Sequence, residues 1–90
     1  MIDIYFPSLI SEIIKVKKTS VEANNLSEAF NKIFIRFGHP LKKILLNEKG
    51  EINRYIKIYL NGKEMNYFDF NNILLKDGDK ISFLIIISGG

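Results

Sequence analysis

The sequence predicts an α+β domain of two layers, a mixed sheet of four to five strands packed on one main helix. Three observations carry that prediction. Segments at both ends of the chain alternate apolar and polar residues with the period of a strand. One internal stretch repeats its apolar residues with the period of a helix. Asn61-Gly62, flanked by alternating residues, is the strongest short-range signal for a β-hairpin. A length of 90 residues holds one such domain, residues 1–90, with a flexible tail at 88–90.

Ile2, Ile4 and Phe6 alternate with Asp3 and Tyr5, so IDIYF is a half-buried strand, and Pro7-Ser8 breaks it. IIKVKKTSVEA reads as a second strand, with Ile14 and Val16 facing away from Lys15 and Lys17, joined to the first by a hairpin. The period then changes. Leu26, Ala29, Phe30, Ile33, Phe34 and Phe37 fall on one stripe of an amphipathic helix. Asn25 with Glu28 fits a capping box at its start. Gly38 stands where a residue of positive φ ends a helix, and Pro40 stops it from continuing. LKKILLN is a short apolar segment, a single helical turn, and EKG turns the chain. RYIKIYL sets Ile56, Ile58 and Leu60 against Tyr55, Lys57 and Tyr59, and KEMNYF is its short return strand across Asn61-Gly62. NNILLKDGD is a loop with a turn at Asp77-Gly78, and KISFLIIIS is the last strand. The first and last strands, both rich in Ile and Phe, are expected side by side in the middle of the sheet. Phe30, Ile33 and Phe34 are expected to pack on Ile4, Phe6, Ile56, Ile58 and Phe83.

Composition removes most function classes. No stretch approaches the roughly 20 apolar residues of a membrane span. The first residues lack the basic region and small-residue cleavage site of a signal peptide, so the expected location is the cytoplasm. There is no cysteine, which excludes disulfides, thiolate metal sites and a cysteine nucleophile. The net charge of +3 comes mostly from lysine. Its clusters, Lys15, Lys17 and Lys18, then Lys42-Lys43, lack interleaved aromatics and read as solvated faces, not as a nucleic-acid interface. His39, the only histidine, lies in a loop between Gly38 and Pro40 with no partner for a metal or a nucleophile. Asp77 and Asp79 read as turn chemistry. There is no phosphate-binding glycine loop. Nothing in the chain catalyses a reaction unaided, and no metal or stably bound cofactor is expected.

The unexplained feature is the end. A strand runs directly into Gly89-Gly90, residues that anchor a terminus poorly because they lose the most freedom on ordering and pack no side chain. The same lack of Cβ lets a backbone enter a narrow site. Beside them, strict alternation sets Leu84 and Ile86 opposite Ile81, Phe83 and Ile85. If Leu84 and Ile86 face water they form an apolar patch, and such a patch marks a binding surface. Met65 is a looser candidate for the same surface.

The strand order, the terminal LKDGDKISFLIIISGG and the segment INRYIKIYLNG (52–62) together resemble the MoaD/ThiS family of sulfur-carrier proteins, over the whole chain. The resemblance implies a β-grasp, or ubiquitin-like, fold. It implies that Gly90 is the reactive residue, first adenylated and then converted to a thiocarboxylate, with Gly89 giving the tail its freedom. The partners implied are a MoeB/ThiF-like adenylating enzyme, which consumes ATP, and a sulfur acceptor such as a MoaE-like large subunit. Leu84, Ile86 and Met65 are implied as the docking residues, and Leu84 stands where some relatives carry an aromatic. The best specific expectation is the small subunit of molybdopterin synthase. Delivery of sulfur to thiamine, cysteine or tRNA stays open, as does a ubiquitin-like modifier conjugated through Gly90. Many relatives have prolines between the last strand and the glycines. Ile85-Ile86-Ile87 replaces them here, so the strand is expected to run closer to the tail.

Overall fold

The computed structural model describes residues 1–65 and 70–86. Along the described chain the elements are β1 (Ile2–Tyr5), α1 (Ser8–Ile14), β2 (Lys18–Val21), α2 (Leu26–Phe37), α3 (His39–Leu45), β3 (Ile56–Leu60), β4 (Lys63–Glu64) and β5 (Lys80–Ile85). The strands form one mixed five-stranded sheet in the order β2-β1-β5-β3-β4. β5 is parallel to β1 and antiparallel to β3, so the first and last strands lie together as expected. Ile4, Phe6, Ile56, Ile58, Ile81 and Phe83 bury one face of the sheet together with Phe30, Ile33, Leu41 and Leu45 from the helices. That burial is the main driving force for the fold.

The segment after β1 departs from the sequence reading. Ser8–Ile14 is a helix, and β2 begins only at Lys18. The alternation of Ile14 and Val16 against lysines spans too few residues to exclude the helical spacing of Ile10 and Ile14, and short apolar runs fit either period. Packing decides. Ile10 is fully buried, and α1 lies against α3. Pro7 opens the helix, its carbonyl accepting the N–H groups of Ile10 and Ser11, and Lys15 closes it at φ 65°. β1 and β2 therefore pair antiparallel across a helical connection in place of a tight hairpin.

The capping of α2 follows the sequence reading. Asn25 Oδ1 accepts the Glu28 N–H at 2.8 Å. Gly38 ends the helix at φ 69°, and Pro40 lies in the first turn of α3. The proline that halts one helix starts the next, because a first-turn position needs no N–H donor. α3 is longer than the single turn expected, since Leu41 and Leu45 both find core to fill. His39 is an exposed residue at its start and not a loop residue. Phe34 packs at the rim, half-buried, and Phe30 takes the centre, stacked on Phe70 at 5.1 Å and tilted to Phe83 at 5.8 Å.

Two turns set the start of β5. Asn61 at φ 52° and Gly62 at φ 84° make the hairpin between β3 and β4. The Asn61 side chain then reaches across to the Asp77-Gly78-Asp79 turn. Its Nδ2 donates to Asp79 Oδ1 at 3.0 Å, and its Oδ1 accepts the Lys80 N–H at 2.9 Å. Asp79 Oδ2 accepts the Lys76 N–H at 2.9 Å, and the Asp79 carbonyl accepts the Asp3 N–H at 3.0 Å. Asp79 thus joins the hairpin and the turn through its buried carboxylate and β1 through its carbonyl, fixing where the last strand begins.

Candidate functional site

β5 has two faces. Ile81 and Phe83 point into the core, whereas Leu84 and Ile86 are 50% and 39% exposed. The register with β3 places Leu84 opposite Lys57 and Ser82 opposite Tyr59. The ladder does not stop at Ile85, because the Ile86 N–H donates to the Tyr55 carbonyl at 2.7 Å. β5 itself ends at Ile85, short of the Lys80-to-Ser88 strand that the sequence suggested. Residues 87–90, with Gly89 and Gly90, lie outside the described residues. Four residues can span at most about 14 Å when fully extended, which bounds how far Gly90 can stand from the last ladder bond.

On the solvent-facing side of the sheet Tyr5 and Tyr59 flank Ser82, while Lys57 and Leu84, then Tyr55 and Ile86, lie nearer that exit. Met65 does not join this surface. It follows the outward Glu64, donates its N–H to Ile58 at 2.8 Å and packs half-buried against the core. The cluster Lys15, Lys17 and Lys18 is exposed, and it divides by role. Lys15 is the cap of α1, while Lys18 stands on the sheet face, over the Tyr5 ring at 5.4 Å and 3.8 Å from Asp3.

Charge on this face is arranged in local pairs. Ser20 Oγ donates to Asp3 Oδ1 at 2.7 Å. That hydrogen bond, aided by nearby Lys18, holds the Asp3 carboxyl below its usual range. Lys57 pairs with Glu64 at 3.3 Å. At the tail end Arg54 Nη2 donates to Tyr55 Oη at 3.4 Å, which lowers the Tyr55 phenol and raises the Arg54 guanidinium relative to their ordinary values.

Sequence reasoning set Leu84 and Ile86 on the exposed face, as the structure does, but did not single out Arg54, Tyr55, Lys57 and Tyr59. The signal existed for three of them, because RYIKIYL already set those three opposite the apolar positions. Their proximity to Leu84 depends on which strand pairs with β3, and that is a long-range fact. A concavity of about 750 Å³ opens on the helix side, lined by Phe30, Phe34, Ile52 and Phe70 among others. Two of its polar groups are already engaged. Asn47 Oδ1 accepts the Lys49 and Glu51 N–H groups, and Asn53 Oδ1 accepts that of Tyr55.

Comparison with known proteins agrees with this geometry. The model of the ThiS family matches residues 6–90. A protein of Archaeoglobus fulgidus, provisionally named a sulfur carrier protein, is 32% identical over 53 residues; the match spans 59% of this chain and 59% of that relative's length. A chain of the Amycolatopsis orientalis BexX/CysO complex superimposes with a TM-score of 0.82 at 20% identity, covering 100% of both chains. A chain of the complex of subunits 1 and 2 of the molybdopterin-converting factor from Helicobacter pylori 26695 is 28% identical, with a TM-score of 0.63, covering 99% of this chain and 97% of its own. The architecture is the β-grasp.

Proposed function

The chain belongs to the ThiS family, and from that premise we propose that it carries sulfur as a thiocarboxylate on Gly90. The observation that carries this reading is that the family match runs to residue 90, four residues beyond the last ladder bond among the described residues, at Ile86. Four residues follow Ile86 in the sequence, and the last two have no side chain.

The chemistry asks little of the carrier. A terminal carboxylate is ionised at neutral pH and is a poor electrophile. In the first step a Gly90 carboxylate oxygen attacks the α-phosphorus of ATP, forming an acyl-adenylate and releasing pyrophosphate. A persulfide on a partner then attacks the carbonyl carbon, AMP departs, and an acyl disulfide remains. A thiol reduces that disulfide, leaving the thiocarboxylate and a new disulfide between the thiol and the partner. Catalytic groups reside in a MoeB/ThiF-like adenylating enzyme, so this protein is a carrier and not an enzyme. Leu84 and Ile86 offer the apolar surface on which both that enzyme and the acceptor dock. The acceptor we favour is a MoaE-like large subunit, in molybdopterin synthesis in the cytoplasm. The likeness to the Helicobacter pylori complex along nearly the whole chain supports that choice.

The test is intact-mass measurement after incubation with adenylating enzyme, ATP and a persulfide donor. Replacement of one oxygen by sulfur is expected. Deleting Gly90, or adding one residue after it, should abolish the change while the protein stays folded. Sulfur acceptance by the truncated chain would refute the reading.

A further inference from the structure

The cations near the exit of the last strand differ in their partners. Lys18 lies 3.8 Å from Asp3 and Lys57 lies 3.3 Å from Glu64, so each has an acid of its own. Arg54 has no acid among the described residues. Its guanidinium lies over the Tyr55 ring, 5.3 Å from the centroid, and donates to the phenol oxygen. Tyr55 is itself tied down at both ends of its backbone. Its N–H donates to Asn53 Oδ1 at 3.1 Å, and its carbonyl takes the Ile86 N–H at 2.7 Å. Arg54 is thus stacked on the residue whose carbonyl takes the Ile86 N–H, the last ladder bond among the described residues.

We infer that Arg54, held on Tyr55, is a specificity-determining contact that takes a carboxylate on the surface of the adenylating enzyme. The inference rests on the carrier reading given above. Leu84 and Ile86 supply an apolar centre and Arg54 a charged rim beside it, which is how protein interfaces are built, with arginine enriched among their residues. A guanidinium stacked on an aromatic ring is partly ordered before binding, so less freedom is lost when a carboxylate meets its planar fork. With Asp3 and Glu64 occupied by Lys18 and Lys57, the complementary acid comes from the partner. The position beside the strand exit makes the contact a check on which enzyme receives the tail.

The experiment is ATP–pyrophosphate exchange by the ThiF/MoeB-like adenylating enzyme of the same host, measured against carrier concentration at low and moderate salt. Arg54→Glu should raise the half-saturating carrier concentration by about three- to tenfold, leave the maximal rate unchanged and remove most of the salt dependence. Arg54→Lys, which keeps the charge but not the fork, should fall between. Both variants should melt as the unaltered protein does, because the side chain is exposed. An unchanged half-saturation in Arg54→Glu would overturn the inference. A lowered one would overturn it too, by showing that Arg54 instead restrains the chain's own terminal carboxylate. A fall in maximal rate alone would mean that Arg54 meets the nucleotide phosphates, not a protein carboxylate. Absence of exchange with the unaltered chain would overturn the carrier reading and this inference with it.

Discussion

At the scale of single residues, Leu84 is the position where the fold and the proposed docking role can be tested apart. It sits in the central strand of the sheet, where the neighbours Ile81 and Phe83 are core, yet half of its own surface meets solvent. Leu84→Asp places a charge in water and opposite Lys57, its cross-strand partner, so folding should change by no more than about 0.5 kcal/mol. Binding of the adenylating enzyme should weaken about tenfold or more, because an apolar centre is where interface energy concentrates. Melting curves and titration of the enzyme check the two halves separately. A collapse in melting temperature would assign Leu84 to the core, and unchanged binding would move the docking surface elsewhere.

At the scale of elements, the edge strands explain how the sheet avoids unwanted pairing. β2 is an edge. The Phe6 N–H donates to the Lys17 carbonyl at 2.9 Å, so by antiparallel alternation the backbone groups of Lys18 and Ser20 point away from β1. α2 covers them. Arg36 Nη1 donates to the Ser20 carbonyl at 2.8 Å and to Thr19 Oγ1 at 2.6 Å, and Lys32 Nζ reaches the Glu22 carbonyl. Charged side chains on an edge are a recurrent defence against strand addition. Replacing Arg36 and Lys32 together by alanine should leave a folded protein that self-associates more than the unaltered chain as concentration rises in sedimentation. Equal behaviour of the two proteins would show that these cations do not guard the edge. β4 is the other edge and needs less protection, being only Lys63–Glu64.

At the scale of the whole molecule, Asp79 is where distant segments meet, and it couples the fold to pH. Burial pushes its carboxyl up. Hydrogen bonds from the Asn61 side chain and the Lys76 N–H, with the Lys76 charge, outweigh burial and bring its pKa below the usual 3.8. The native state then binds fewer protons than the unfolded state near that pH. The stability this supplies is complete above the unfolded value and is lost as pH falls through the lower folded one. Urea unfolding should show stability dropping below about pH 4, with a shallower drop in Asp79→Asn. At neutral pH the same change should cost about 1–3 kcal/mol, since the hydrogen bonds of a buried group are disturbed. An identical pH profile in the two proteins would remove Asp79 from this role.

The sequence by itself determined what local chemistry and periodicity can determine. The helix Leu26–Phe37, its Asn25 cap, the Asn61-Gly62 hairpin and the inward face of the last strand all follow from residues close together in the chain. Alternation within a strand also separated Leu84 and Ile86 from the core. The tertiary structure decided the rest. Ser8–Ile14 became a helix because α3 offers Ile10 a place to be buried, although its short apolar run suits either period. Phe30 took the centre, between Phe70 and Phe83, and Phe34 the rim. Met65 turned inward with the return strand. Arg54 and Tyr55 reached the tail exit because β3 pairs with β5, a contact between residues some thirty apart in the chain. Local spacing carries no information about such a pairing, because its free energy comes from surfaces that meet only when the sheet has formed.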